Sequence, residues 1–490
     1  MSWVSSTGLV LRDLVPAGLR RSWVRSGHCQ DRELYALFRD QVRDHPRRTA
    51  VIDDEGSLDY TRLDNAVTAL AARLTAAGCG STDVIGVREG NTRVAVIAEL
   101  AVLAIGAVVL PVPPGEQRLV ERARASTLIA DGEITTIHPR VGGTGRQRPD
   151  AEAPARILLS SGSEAEPKMV AYSHNAFAGG RGNYMRAVHG TTVVPRDLVL
   201  VSLSSSYGSF GVPYTLCRAG GTLILTGRFE AGAALGLVTE HRPTHVFGVP
   251  TMWHRMAGHP ADVDTSGLVA MVSSGDVLPA STLDRCRDRF GVDMISVYGS
   301  SDGVNCHTRT PEKGAGVPDP AVCDIRIVDG EIQARGPMTP LCYVNAPNLD
   351  AMYRAEDGWI RTGDHGCLDD GGALHVTGRI KRVVIRGGYT IGPAEVEHAI
   401  GGHPAIDEVA CVPVPDTELG ERLCACVTIR KGHEPPTLPD LTAFLAASGV
   451  ATAKLPEFLL ALPELPLGRT GKICHRTVTV LATRHCGQRA

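Results

Sequence analysis

The sequence predicts an α/β protein. A large N-terminal region of several subdomains, with mainly parallel sheets and a small β-barrel-like piece, precedes a small α+β C-terminal domain. Three observations carry this expectation. The chain has 490 residues, more than one compact core accommodates. Short apolar runs alternate with helically spaced segments along most of its length, as in parallel sheets covered on both faces. From Arg379 onward the pattern restarts and fills about a hundred residues, an ordinary domain size. The expected division is 1–377 and 378–490.

Taken in order, Arg32 to Asp44 reads as a helix and Ala50 to Asp53 as a strand. From Thr61 to Ala77 the residues Leu63, Val67, Leu70 and Leu74 recur at helical spacing, and Gly78 supplies the stop. Val84 to Val87 is a strand. Val94 to Val112 carries Glu99 as its sole charge. Its length would permit a membrane span, but Gly106 and the Val-Val-Leu-Pro-Val ending favour a buried helix to about Ile105 and then a buried strand. His138 to Arg156 is polar and reads as an exposed loop, followed by the strand Ile157-Leu158-Leu159. Further strands are expected over Leu198–Leu203, Thr222–Leu225, His245–Val249, Met271–Ser273 and Asp293–Val297, with helices near 233–241 and 280–290 between them. Asp324–Ile327, Glu331–Ala334 and Leu374–Val376 suggest a small antiparallel piece. The last domain reads as strands Val383–Ile385, Val409–Val414 and Cys424–Ile429 with helices Pro393–Ile400 and Leu438–Ala447.

Composition excludes several function classes. A net charge of -3 and 4% aromatic residues offer neither a basic footprint nor stacking platforms for nucleic acid. Thirteen cysteines without a CxxC pair fit reduced thiols and a cytoplasmic location. Cys424 and Cys426 would share one face of a strand as buried apolar residues. Met1 to Val24 lacks the apolar core of a signal peptide. No HExxH occurs among 17 histidines, and Pro243 spoils a shared helical face for His241 and His245. Gly299-Ser300-Ser301-Asp302-Gly303 fits GxSxG, yet no helical pattern follows, so a nucleophile elbow is not expected.

Five segments in a fixed order carry the chemistry. Ser160-Ser161-Gly162-Ser163, continuing to Pro167-Lys168, follows a strand; Gly and small hydroxyl residues there let backbone N–H groups close around phosphate oxygens. Tyr298-Gly299-Ser300-Ser301-Asp302 ends a strand. Arg361-Thr362-Gly363-Asp364 places a carboxylate in a turn. Gly378-Arg379-Ile380-Lys381 runs on to Arg386-Gly387-Gly388. Gly468-Arg469-Thr470-Gly471-Lys472 puts cations on a loop near the end of the chain. Together these segments resemble the adenylate-forming superfamily of acyl- and aryl-CoA ligases, aryl-acid AMP ligases and peptide-synthetase adenylation domains. The resemblance runs from about Leu34 to Lys472.

The resemblance implies ATP-dependent activation of a carboxylic acid as its acyl-adenylate, with Mg²⁺, and transfer to a phosphopantetheine thiol of CoA or a carrier protein. It implies that Ser160, Ser161, Gly162 and Ser163 cradle phosphate with Lys168, that Tyr298, Gly299 and Gly275 frame the nucleotide, and that Ser301 meets phosphate. Asp302 would hold the metal where the family has Glu. Asp364 and Arg379 would hold the ribose, Lys381 would be the hinge of a mobile C-terminal lid, and Lys472 would neutralise charge in the first half-reaction. Tyr207, Gly208, Phe247, Gly248 and Ser274 would line the acid pocket. Gly208 stands where relatives taking α-amino acids have Asp, which would leave an ammonium unpaired and argues against an α-amino acid; the stretch Gly303 to Thr308 resembles the stand-alone aryl-acid AMP ligases, and the favoured substrate is an aryl or short unsaturated acid. Glu164, Ala165 and Met169 depart from the usual phosphate loop. Such departures are compatible with three other outcomes: transfer to an amine, nitrite activation in diazo formation, or a non-catalytic nucleotide-binding descendant.

Overall fold

The computed structural model describes the whole chain except residues 1, 141–149, 161–166, 192, 381, 388, 469–470 and 488–490. Two large sheets dominate the N-terminal region. The first has eight strands in the order Asn305–Thr308, Asp293–Gly299, Ala270–Ser274, His245–Gly248, Arg196–Val199, Thr222–Leu225, Thr49–Asp53 and Gly56–Asp59. Its interior pairs are all parallel, and only the two edge strands run antiparallel. The interior strands read as near-continuous apolar runs because helices cover both faces.

The second sheet has seven strands, ordered Cys342–Tyr343, Met169–Ser173, Pro154–Leu159, Val108–Pro111, Val84–Arg88, Thr127–Ala130 and Glu133–Thr136. Helices Tyr60–Ala76 and Arg93–Ala104 contribute to one apolar core with residues of both sheets, among them Leu63, Val67, Leu100, Ile85 and Leu223. Helix Arg93–Ala104 is the run that could have been taken for a membrane span. Its charge is neutralised inside the protein, where Glu99 pairs with buried Arg156. Among the described residues no helix is long and apolar enough to cross a membrane.

The small antiparallel piece is a four-stranded sheet of Asp324–Val328, Glu331–Arg335, Ile360–Leu368 and Leu374–Arg379. The C-terminal domain builds a sheet from Tyr389–Ile391, Val384–Arg386, Gly420–Ile429 and Ile406–Asp416, joined by Phe458–Ala461. Helices Pro393–Gly401 and Leu438–Ala447 pack on one core of this domain, and helix His475–Gly487 contributes to a second.

Some boundaries differ from the expectations. The supposed loop ending at Arg156 gives way to a strand at Pro154, because Ala155 and Arg156 are buried against neighbouring strands. The expected strand Leu198–Leu203 ends at Val199, where Asn91 holds the departing chain through Val201 O and Leu203 N. Helix Pro250–Gly258 was not anticipated. All thirteen cysteines are free; Cys424 and Cys426 lie side by side, their sulfurs 3.9 Å apart.

Candidate active site

The site is assembled at the seam where the two large sheets, the antiparallel sheet and the C-terminal domain meet. Strand Pro154–Leu159 leads into Ser160, and strand Met169–Ser173 leads away. Two hydrogen bonds close the neck between them: Ser160 N donates to Lys168 O at 2.9 Å, and Lys168 N donates to Ser160 Oγ at 2.9 Å. Ser161, Gly162, Ser163, Glu164 and Ala165 lie outside the described residues. The Lys168 ammonium stands 3.5 Å from Asp302 Oδ2 and 3.7 Å from the Tyr353 ring centroid.

Asp302 belongs to the turn after strand Asp293–Gly299. The seven-stranded sheet grips this turn from the other side. Tyr172 donates to Ser301 O at 2.7 Å, and Tyr343 donates to Asp302 Oδ1 at 2.6 Å. Gly303, at φ +99°, lets the turn pass close to Pro340. Asp302 is therefore a buried carboxylate held between a tyrosine and a lysine. A hard, oxygen-binding cation fits such a donor, since Mg²⁺ commonly takes only one or two carboxylates and completes its shell with phosphate oxygens and water.

The antiparallel sheet supplies the next carboxylate. Asp364 and Arg379 face each other in register across strands Ile360–Leu368 and Leu374–Arg379. Arg379 Nε lies 3.3 Å from Asp364 Oδ1, and the Tyr298 hydroxyl donates to Asp364 Oδ2 at 2.8 Å. Burial raises the Asp364 pKa above the ordinary carboxylate value, against the pull of Arg379 and Tyr298. Tyr298, Asp364 and Arg379 thus form one connected unit although they are distant in sequence.

Lys472 enters from the C-terminal domain. Gly471, at φ +77°, permits the turn, and Thr251 fastens it by donating to Gly471 O at 2.5 Å. The aliphatic end of Lys472 then crosses Gly275. A Cβ on that glycine would lie 2.5 Å from Lys472 Cε and 2.7 Å from its Nζ, and Gly275 has φ +96°. Burial lowers the Lys472 pKa, while nearby Asp276 opposes the shift. Two residues on, Cys474 Sγ sits 3.2 Å from Thr477 Oγ1, and that hydrogen bond lowers its pKa.

The predicted pocket residues also come together. Tyr207 donates to Val272 O at 2.8 Å, and its ring lies 6.3 Å from that of Phe247. Phe210, not singled out from the sequence, packs 4.4 Å from Phe247. A Cβ on Gly208 would stand 2.2 Å from Ser202 O, so an aspartate cannot occupy this position without backbone movement. Gly248 packs against Trp253, and Ser274 donates to Val297 O at 2.9 Å. Lys381 and Gly388 lie outside the described residues.

The two domains touch beyond Lys472. Asp407 of the C-terminal domain accepts His254 Nε2 at 3.1 Å and lies 3.8 Å from Arg285 Nη1. Asp407→Asn is expected to lower stability by at most about 1 kcal/mol, because a partly exposed ion pair is worth roughly 0.2–1 kcal/mol. Denaturant titration of the variant checks this, and an unchanged midpoint would remove the pair from any role in holding the domains together.

Sequence patterns place this architecture. The pattern of the AMP-binding enzyme family matches residues 38–138 and 119–343, and that of the AMP-binding enzyme C-terminal domain matches residues 395–472. The chain belongs to the AMP-binding enzyme family. Its similar relatives include the medium-chain fatty-acid–CoA ligase of Escherichia coli, 26% identical over 93% of this chain and 91% of the relative. They also include the salicyl-AMP ligase / salicyl-S-ArCP synthetase of Mycobacterium tuberculosis, 27% identical over 94% and 93%. Among solved structures, the amide bond synthetase McbA from Marinactinospora thermotolerans superimposes with a TM-score of 0.77 at 26% identity, covering 91% of this chain and 99% of that one.

Several residues of the site were not evident from the sequence. Tyr343 and Tyr353 lie in stretches without a motif and reach Asp302 and Lys168 only through the fold. Thr251, Asp276, His254 and Asp407 are equally silent. His245 lies beside His189 and Asp197, not His241: His189 Nδ1 faces Met185 O at 2.7 Å, and its Nε2 lies 2.8 Å from Asp197 Oδ1.

Proposed function

We propose that this chain activates an aryl or short unsaturated carboxylic acid with ATP and passes the acyl group to a phosphopantetheine thiol of CoA or a carrier protein. The observation that carries the reading is the meeting of Lys472 with Gly275, within electrostatic reach of the Arg379 that pairs with Asp364 and Tyr298. In the first step a carboxylate oxygen of the acid attacks the α-phosphorus, and the bond to the pyrophosphate oxygen breaks. The Lys472 ammonium neutralises charge growing between the two groups and transfers no proton. Asp364 accepts the ribose hydroxyls, and Arg379 reinforces it. Asp302 is the residue for Mg²⁺, which would offset phosphate charge, while Lys168 adds a second cation. In the following step the thiolate attacks the acyl carbonyl and AMP leaves.

Residues 1–377 form the acid- and nucleotide-binding core in this reading, and residues 378–490 form the lid that turns about Lys381. Withdrawal of Lys472 opens the face through which a thiol enters. An apolar wall of Tyr207, Phe210 and Phe247 supports an aryl or short acid. The likeness to an amide bond synthetase favours a second reading, in which an amine is the acceptor. Acid-dependent ATP–pyrophosphate exchange tests the first step across aryl, fatty, amino and short acids. Exchange confined to one class is the expected result, and absence of exchange with every acid would overturn the reading. CoA, carrier protein and amines offered to the preformed adenylate then decide the acceptor.

A further inference from the structure

Arg181 is a buried charged group of this region that the proposed chemistry leaves unused. It ends the π-helical turn Phe177–Arg181, a rare element that recurs at functional sites. Its backbone position is fixed by two small neighbours. A Cβ on Gly180 would fall 2.1 Å from Met338 N, and one on Gly179 would fall 2.9 Å from His28 O. The turn can therefore press against both segments and hold Arg181 inward, where its side chain is about 95% buried.

The hydrogen-bond and ring partners of this guanidinium are neutral. Nη2 donates to Ser206 O at 2.7 Å and to Ser209 Oγ at 3.3 Å, on either side of Tyr207 and Gly208. Its planar group lies 5.6 Å from the Tyr172 ring centroid and 5.5 Å from that of Phe177. Nε is buried and has no hydrogen-bond partner. Tyr172 and Tyr184, within electrostatic reach of it, are phenols whose pKa values burial pushes up. Among the described residues no carboxylate forms an ion pair with Arg181. Arg156 and Arg20, the other strongly buried arginines, each have one.

A buried cation without a counter-ion is costly, and the usual remedy is a carboxylate in charge-assisted contact. The hydroxyl of Tyr172 reaches the Ser301–Asp302 turn, while Ser206 and Ser209 flank the acid pocket. Arg181 therefore lies between the phosphate side and the acid side. From this we propose that Arg181 receives a second, non-reacting carboxylate of the substrate, so that the acid taken by this chain is dicarboxylic. This deepens the acid-activation reading and rests on it for the identity of the ligand as substrate. It also gives the neutral pocket wall an anchor that Gly208 does not provide.

Equilibrium binding tests the assignment without turnover. Calorimetry on the full chain would compare aromatic and short unsaturated dicarboxylates with their half-amides, which keep size and shape but lose one charge. Wild type should bind at least one diacid about 10-fold or more tighter than its half-amide, the lower range for a hydrogen bond to a charged group. Arg181→Met should erase that preference while keeping half-amide affinity, and Arg181→Lys should restore part of it. Equal binding of diacid and half-amide by wild type overturns the proposal even if a variant fails to fold. So does a preference that persists in folded Arg181→Met. Pyrophosphate exchange separates the two readings. Diacid binding without exchange on any acid would sink acid activation and leave the Arg181 site standing. Exchange on monoacids without diacid preference would sink Arg181 alone.

Discussion

Lys472→Ala is expected to lower acid-dependent pyrophosphate exchange by about 10²–10³-fold, the effect of removing one preorganised donor to a developing charge. Transfer from a supplied acyl-adenylate to thiol should stay at the wild-type rate, because the proposed mechanism has the lysine withdrawn in that step. Lys472→Arg should not rescue the first step. The side chain crosses Gly275 so closely that even a methyl group there would collide with it, and a guanidinium is wider than an ammonium. Burial lowers the Lys472 pKa from the ordinary 10.5. The active form is the cation, present below that lowered pKa and lost as pH rises through it. Exchange should consequently fall off on the alkaline side earlier than an exposed lysine would require, and the transfer step should lack that limb. Equal loss of both half-reactions in Lys472→Ala would contradict the assignment.

Asp364→Asn is expected to weaken ATP binding by about 10- to 150-fold, the equivalent of one hydrogen bond to a charged group at roughly 1.5–3 kcal/mol. The same substitution should leave the melting temperature unchanged or raise it. The sign follows from the raised pKa: the ionised carboxylate is disfavoured in the fold relative to the unfolded chain, so its charge costs stability at pH values above the unfolded pKa. Function and stability would then move in opposite directions, as expected where charge is kept for a ligand. In wild type, ATP affinity should decline as pH falls through a value above the ordinary aspartate range, and Asp364→Asn should lack this acid limb. A variant that loses ATP affinity together with stability would instead mark Asp364 as structural.

The alternating pattern made the parallel sheets and the separate last domain legible, because strands buried on both faces must be apolar throughout. The five ordered segments likewise placed Lys168, Tyr298, Asp302, Asp364, Arg379 and Lys472 in one region. What the sequence concealed are the partners that cross between sheets. Tyr343 meets Asp302 across the seam of two sheets, and Asp407 meets His254 across two domains. Neither lies at a spacing that a local pattern can encode. Arg181 was hidden for a different reason: an arginine in a run of small and polar residues reads as exposed, and only the close approach of Gly179 and Gly180 to neighbouring backbone turns it inward. Strand ends were misplaced where a long-range hydrogen bond, such as those of Asn91, decides where pairing stops.

The thiol of Cys474 gives this molecule a built-in chemical reporter. Burial pushes Cys29, Cys286, Cys306, Cys323 and Cys342 up to about 12, so these sulfurs are slow nucleophiles. Cys474 is shifted the opposite way and shares its loop with Lys472. With exposed Cys367 replaced by serine, Cys474 is the thiol expected to alkylate first, because its pKa is lowered and its sulfur is largely open to solvent. A probe attached there would sit on the loop that carries Lys472, with no residue added to the polypeptide.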